Sequence, residues 1–342
     1  MARKTVADVE NRLMEDISLY GFDRWADGSL LWDCKVIPRQ VSGRHSTPNH
    51  GLPPYPRGLS LTLFAPVTAR FRLAFANNNP TSKYRTMTTP SQDSSGNIVH
   101  APHAPLTEYY QREEDRREWV GEQFDKTAPD YDRVEKILGL GTGPTYRRKI
   151  LEFAGLKPGM RILDVGMGTG LVAKQAARIL GDASLVTGVD PSAGMIRNAK
   201  LPAGVTVVEG RAELIPLAAN GYDFLSMGYA LRHVSDMSVA FAEFHRVLKP
   251  GGKVCILEIT PPKGRIATAL LKGYCKYAVP MLAKLVAKDK DTAQLWRYYW
   301  DTIEACAAPE KVMSTLGSAG FVNVRRTVDV GMFSTYLADK PL

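Results

Sequence analysis

From residue 160 to residue 260 short apolar runs rich in β-branched residues alternate with amphipathic stretches, and that alternation is the strongest structural signal in the chain. The run 160–165 is bounded by Pro158-Gly159 before it and glycines after it, which marks a short central strand. Further strands are predicted at 184–189, ending in Asp190, and at 205–209, 222–227 and 253–259. Helices separate them, an Ala- and Leu-rich one at 171–180 and another at 237–248. Strands that alternate with helices predict a parallel sheet covered on both faces, with ligands at the carboxyl ends of the strands. Upstream, 106–123 is charged and reads as helical, and 133–154 reads as one or two helices interrupted at Gly139-Leu140-Gly141. Downstream, a helix at 309–320 precedes apolar stretches 322–330 and 332–337, joined through Gly331 as a closing hairpin.

Residues 266–307 interrupt this alternation. Leu270, Leu271, Tyr274, Tyr277, Met281, Leu282, Leu285 and Val286 recur at helical spacing around Pro280, on a basic frame of Lys272, Lys276, Lys284 and Lys288. One reading is a pair of core helices kinked at the proline. The preferred reading is a lid or substrate wall, whose basic amphipathic character also allows peripheral contact with a membrane surface.

Composition adds a second region. The 342 residues exceed one average domain, and a hydrophobic fraction of 44% suffices for a core. The net charge of +9 is uneven: residues 1–86 hold 12 Lys/Arg against 7 Asp/Glu, and no acid occurs between Asp33 and Asp93. Residues 1–105 are therefore expected to be a poorly ordered basic extension, with Met87 heading the enzyme proper, and residues 106–342 the folded domain. No stretch reaches the roughly 18 uninterrupted apolar residues of a membrane span. The cysteines at 34, 255, 275 and 306 have no metal or redox spacing, which suits a reducing, cytoplasmic compartment and no metal site.

The chemistry centres on Asp164-Val165-Gly166-Met167-Gly168-Thr169-Gly170. Three glycines permit positive φ and a close backbone approach to a ligand. Their spacing is not that of the dinucleotide fingerprint, and Asp164 would repel a pyrophosphate while suiting an ammonium or sulfonium. Asp190, twenty residues beyond Gly170, is placed to take both hydroxyls of a ribose. It could equally cap the helix that starts near Ser192, but beside the glycine turn the ribose reading is preferred.

Residues 163–170, Asp190-Pro191-Ser192 with Met195, and Arg246-Val247-Leu248-Lys249-Pro250-Gly251-Gly252 together resemble class I S-adenosylmethionine-dependent methyltransferases. More narrowly, 124–132 (FDKTAPDYD), 228–234 (GYALRHV) and 247–252 followed by Leu257-Glu258 resemble the UbiE-type C-methyltransferases of ubiquinone and menaquinone biosynthesis. The resemblance runs from about residue 120 to the C-terminus. It implies a doubly wound, seven-stranded, mostly parallel Rossmann-like sheet of order 3-2-1-4-5-7-6 with the seventh strand antiparallel, and a pocket-shaping insertion at about 261–308. It implies S-adenosyl-L-methionine as cofactor, held by Asp164, Gly166, Gly168, Thr169, Gly170, Asp190, Met195, Arg211, Ala212 and Gly228. Tyr131 and Arg232 match the family's substrate-facing Tyr and Arg, proposed to orient or activate a hydroxyl.

Two positions depart from the family. His233 stands where the family usually has Asn, and a histidine could accept a proton near neutral pH. Arg211 stands where Asp or Asn often meets adenine; Arg cannot accept a proton from the adenine amine, though the Ala212 backbone still can contribute. Tyr131, Arg232 and His233 also have structural readings, as a packing residue and a solvated turn. The function expected is C-methylation of a prenylated quinol or related hydroxylated ring, a small and lipophilic acceptor. Two alternatives stay open: an O-, N-, S- or metalloid methyltransferase for another small molecule, and a non-catalytic binding module. Nucleic acid is not expected as a partner, since base-methylation motifs are absent and the excess charge lies outside the catalytic region. The sequence carries no signal for oligomeric state.

Overall fold

The computed structural model describes residues 99–139, 141–281 and 292–342. Seven strands, β1 (Ile162–Val165), β2 (Val186–Asp190), β3 (Thr206–Glu209), β4 (Tyr222–Gly228), β5 (Leu248–Ile259), β6 (Val322–Asp329) and β7 (Phe333–Asp339), form one sheet in the order β3-β2-β1-β4-β5-β7-β6. The pairings from β3 through to β5 are parallel, and β7 runs antiparallel to both β5 and β6. This is the doubly wound α/β sheet with a reversed seventh strand that the resemblance implied. Every residue of β1 and β2 is buried, as central parallel strands with helices on both faces require.

Alternation along the strands feeds two cores. On one face Leu225 and Met227 of β4 pack with Phe241, Phe244 and Val247 of α5 (Met237–Val247) and with Leu316 of α8 (Pro309–Ser318). On the other, Phe224 and Cys255 meet Ile150 and Leu151 of α2 (Gly143–Phe153) and Ala173 and Ala176 of α3 (Leu171–Leu180). The register sets Asp164 beside Gly188 and Ser226, and Gly228 beside Leu257, so the carboxyl ends of β1, β2, β4 and β5 share one edge.

The N-terminal helix differs from expectation. A single helix, α1 (Glu113–Leu138), runs through Pro129, where the sequence suggested separate segments at 106–123 and 133–154. Proline removes one helical hydrogen bond, here to the Asp125 carbonyl, at a cost of about 3 kcal/mol. Tertiary bonds on both sides of it offset that loss. Asp125 accepts from Ser192 Oγ at 2.5 Å and from the Gly194 amide at 2.8 Å at the start of α4 (Ala193–Asn198), and Asp132 accepts from Thr169 Oγ1.

Residues 99–105, expected to belong to the extension, lie against the domain. The His100 amide donates to the Asp236 carboxylate at 3.1 Å, its carbonyl accepts from Met237, and the Pro102 carbonyl accepts from Ala307. His103 is buried. The expectations for residues 1–98 lie outside the described residues. The insertion consists of α6 (Arg265–Gly273), continued by a wider turn at Tyr274–Ala278, and α7 (Thr292–Ala305). No helix among the described residues is long and apolar enough to cross a membrane.

The α1–α4 contact leaves no room at Gly194, where a Cβ would lie 2.6 Å from Asp125 Cα and 2.8 Å from its carbonyl oxygen. Gly194→Ala is therefore expected to destabilise the fold by about 1–3 kcal/mol. Gly273→Ala, in a helix with nothing within 4 Å, should be neutral or stabilising by about 0.4–1 kcal/mol. Urea unfolding of the two variants compares them directly; equal midpoints would show that α1 does not press on α4.

Candidate active site

The turn after β1 contains three glycines with positive φ, 65° at Gly166, 55° at Gly168 and 81° at Gly170. Two of them are enforced from inside the protein. A Cβ at Gly166 would lie 2.7 Å from Ala230 Cβ, and one at Gly170 would lie 2.3 Å from Leu201 Cδ2. Gly168 is different, since a Cβ there would meet nothing within 4 Å. Its open side is where a ligand can approach the backbone. The turn has little to offer a phosphate, because four of its five amides are already engaged. Gly166 and Met167 donate to the Val189 carbonyl, Gly170 to the Met167 carbonyl, and Gly168 to Asp190 Oδ2 at 2.7 Å.

Two carboxylates underlie this turn. Asp164 is fully buried; Oδ1 accepts from Ser226 Oγ at 2.8 Å and Oδ2 from the Ala173 amide at 3.1 Å. Asp190 accepts from Gly168 with one oxygen and from the Ser192 amide at 2.8 Å with the other, so it also shapes the start of α4. Neither makes an ion pair among the described residues. Burial pushes the Asp164 carboxyl up to about 7 and that of Asp190 up to about 6, against the opposing pull of those hydrogen bonds. Two desolvated acids without a counter-charge favour a cationic ligand, which fits a sulfonium and an ammonium.

The other expected cofactor residues surround the same edge. Thr169 is bonded to Asp132, whose second oxygen lies 3.5 Å from Lys174 Nζ. Met195 is buried, its amide donating to Ser192 Oγ at 3.0 Å. A Cβ at Gly228 would lie 2.6 Å from Val172 Cγ2, which gives that glycine a packing reason. Ala212 is buried in the core beside β4, and Arg211 forms an isolated bridge with Leu214.

The three residues expected to face the acceptor converge next to this edge. Leu231–His233 form a single 3-10 turn just beyond β4. Arg232 is fully buried and ion-paired through Nη1 with Glu258 at the end of β5, while its carbonyl accepts from Arg116 Nη2 at 2.7 Å. Its guanidinium carbon lies 3.9 Å from the centre of the Tyr299 ring. Nε and Nη2 have no hydrogen-bond partner among the described residues. Tyr131 stacks on Trp296 at 5.7 Å between centroids, and His233 stacks on Tyr298 at 5.7 Å with Phe124 edge-on at 5.2 Å. Helices α1 and α7 thus build an aromatic wall around one guanidinium.

This environment alters the expectation for His233. Both ring nitrogens are buried without a hydrogen-bond partner among the described residues. Burial, and then the Arg232 charge, hold its pKa well below the ordinary histidine value, so the ring is neutral and a poor proton acceptor at neutral pH. Burial likewise raises the Tyr131 hydroxyl well above its usual range. Among the described residues no group of three or more His, Cys, Asp or Glu is placed to hold a metal ion.

Comparison with known proteins agrees with this geometry. Residues 110–340 match the model of the ubiE/COQ5 methyltransferase family. The chain belongs to that family. This methyltransferase is 30% identical over 221 residues to the ubiquinone/menaquinone biosynthesis C-methyltransferase UbiE of Shewanella halifaxensis, covering 63% of this chain and 87% of that one. It is 31% identical over 231 residues to the demethylmenaquinone methyltransferase of Staphylococcus aureus strain JH9, covering 66% and 94%. Among solved structures it is similar to a SAM-dependent methyltransferase of Thermotoga maritima, described as a possible histamine N-methyltransferase. That likeness has 21% identity and a TM-score of 0.47, and covers 65% of this chain and 99% of that one. The protein is an S-adenosylmethionine-dependent methyltransferase.

Several residues in this methyltransferase's site escaped sequence reasoning. Asp125, Asp132 and Glu258 lie within the family segments, but nothing local indicates that they reach the turn, α4 or Arg232. The Arg297-Tyr298-Tyr299-Trp300 run was a usable signal, because so many aromatic residues on one helix need a partner surface. Tyr229 was also missed. Its φ of 60° is unusual for a bulky residue, and it stands between β4 and the Arg232 turn with Arg147 5.5 Å from its ring centre.

The buried carboxylates lead to a pH test. Their folded pKa values exceed the unfolded 3.8, so the native state holds more protons between that value and about 7. Stability of the ligand-free protein therefore falls as pH rises through this window. Asp164→Asn can still accept from Ala173 and donate to Ser226 Oγ without a charge. At pH 8 it should melt about 3 °C or more above the parent without ligand, and it should bind S-adenosylmethionine more weakly. Scanning calorimetry from pH 5 to pH 8 checks this; a variant that kept the parent's pH dependence would refute it.

Proposed function

We propose that this methyltransferase transfers a methyl group to a ring carbon of a small, lipophilic hydroxylated aromatic acceptor, namely a prenylated quinol. The observation that carries this reading is the buried Arg232 guanidinium, with two nitrogens unspent, set among the rings of Tyr131, His233, Trp296 and Tyr299. A flat acceptor ring suits the aromatic wall, and its oxygen suits the guanidinium. The names of the two curated relatives, a ubiquinone/menaquinone C-methyltransferase and a demethylmenaquinone methyltransferase, support the same acceptor class.

S-adenosylmethionine, when bound, supplies an electrophilic methyl on a sulfonium. On the cofactor side, Asp190 binds ribose hydroxyls, and Gly166, Gly168 and Gly170 with Thr169 let the backbone close on the ligand. Asp164 supplies negative charge beneath the turn, while Met195, Arg211, Ala212 and Gly228 border the remainder. On the acceptor side, Arg232 would donate from Nε and Nη2 to the acceptor oxygen and stabilise the negative charge left when its proton passes to solvent. The ortho carbon would then take the methyl as the methyl–sulfur bond breaks to leave the thioether, and loss of the ring C–H proton to solvent with reprotonation of the oxygen would restore the quinol. Tyr131 and neutral His233 orient the hydroxyl by hydrogen bonding. The aromatic wall excludes water and aligns the ring carbon for an in-line displacement.

Arg232→Ala would strand Glu258 in the interior and destabilise the protein by about 3–5 kcal/mol, so activity is better tested with gentler changes. Arg232→Lys and Tyr131→Phe are expected to lower kcat by about 10²-fold or more while cofactor affinity changes less than about threefold. Parallel loss of both would show a purely structural role. His233→Asn should retain kcat within about tenfold, since an amide replaces a neutral imidazole as a hydrogen-bonding group; a loss of about 10³-fold would instead identify His233 as the base. Removing the protein from its cells and weighing quinones in the lipid extract tests the acceptor. A quinone lacking one methyl is expected, and an unchanged quinone would reject the quinol reading.

A further inference from the structure

We infer that the outer face of α6 and the turn after it is a docking surface for an anionic lipid bilayer. Ile266, Leu270, Tyr274, Tyr277 and Met281 follow one another at intervals of three and four residues, so they form a single stripe. All five are exposed, Ile266 at 79%, Leu270 at 71% and Tyr277 at 67% among them. Exposed Phe153 and Val239 stand singly on their helices, whereas these five form a contiguous apolar face, and a stripe of this kind marks an interaction surface.

Charge selects the occupant. No Asp or Glu occurs between Glu258 and Asp289, a stretch that holds six Lys and Arg. Lys272 and Lys276 are paired with Glu304 and Asp301 of α7, which anchors the helix to the body of the protein. Lys263 and Arg265 are exposed at the head of the stripe and form no ion pair among the described residues. A second copy docked face to face would set these cations against each other. Of the chain's own residues, 34–92 are no better, because they too contain no acid, while 1–33, with seven acids against four Lys and Arg, are the competing occupant that vesicle binding by the full chain excludes. An anionic bilayer answers both halves of the surface, with the apolar side chains in the acyl boundary and the cations at the headgroups. The tyrosines, apolar in the ring and polar at the tip, suit that boundary. Inward of α6, α7 carries Trp296 and Tyr299 beside Arg232, so the docked face and the acceptor wall belong to one helix pair. The inference holds for any acceptor.

Co-sedimentation of the full chain with vesicles tests it. Binding is expected to vesicles of equal parts phosphatidylcholine and phosphatidylglycerol, to weaken with added salt, and to be much poorer on phosphatidylcholine alone. The double variant Leu270→Glu/Tyr277→Glu should lower the partition coefficient by about tenfold or more. Its affinity for S-adenosylmethionine, measured calorimetrically, should be unchanged and reports an intact fold. If that variant loses cofactor binding, Ile266→Ser/Met281→Ser makes the same test with smaller changes. A parent that ignores anionic vesicles would overturn the inference, and so would variants that bind as the parent does, which would place the lipid contact on the basic N-terminal region. A parent dimer that the variants convert to monomer, with vesicle binding unaltered, would assign the stripe to a second copy instead.

Discussion

Asp164 links three elements through one carboxylate: its own strand β1, Ser226 of neighbouring β4 and the first turn of α3. The geometry of the glycine turn depends on that junction, because it lies between β1 and α3. Burying a carboxylate without a cation is unfavourable, and two hydrogen bonds offset only part of the cost. Asp190, one strand away, repeats the arrangement with Gly168 and Ser192. The ligand-free protein therefore holds electrostatic stress at the carboxyl ends of β1 and β2, which a ligand carrying a sulfonium and an ammonium would relieve. On the proposed assignment, cofactor affinity draws on an imbalance already present in the fold.

The acceptor side is arranged in the opposite way. Arg232 is as deeply buried as Asp164, but Glu258 neutralises it, Tyr299 covers one face and Arg116 fixes its backbone carbonyl. Arg116 in turn meets His103 at 3.0 Å; burial, and then the Arg116 charge, depress the His103 pKa to about 4, so a neutral imidazole lies against this second guanidinium. What remains is a rigid donor whose own charge Glu258 balances, with the Arg116 cation behind it, suited to an oxygen that becomes more negative during reaction. The two halves of the site thus divide the electrostatic task. On the proposed assignment, uncompensated carboxyls face the methyl donor and a cation balanced by Glu258 faces the acceptor.

The parts of this arrangement that were legible in the sequence are those coded locally. The strands at 160–165 and 184–190, the glycine turn and helix 171–180 each carry their pattern within a few residues, and the order of the seven strands followed from the family resemblance. Pairings made across long stretches of chain were not legible. Asp125 with Gly194, Asp132 with Thr169, and Glu258 with Arg232 give no sign of one another in sequence. Those bonds also explain why α1 continues through Pro129, where local propensity argued for a break. His233 shows the same limit in chemistry. Its basicity was judged from the residue type, whereas its surroundings, brought together from α1, β4 and α7, make it neutral.

The three glycines of the turn answer to different constraints. Gly166 and Gly170 are required by Ala230 and Leu201, which belong to the protein itself, whereas Gly168 has nothing within 4 Å on its side-chain face. Packing therefore holds two of these positions, whereas at the third the left-handed backbone, φ 55°, favours glycine without any steric block on its open face. In a lineage that kept this fold but abandoned methyl transfer, residue 168 would be the first of the three to drift while its neighbours stayed glycine. Drift there would run first to Asn or Asp, which tolerate the left-handed backbone that Gly168 adopts.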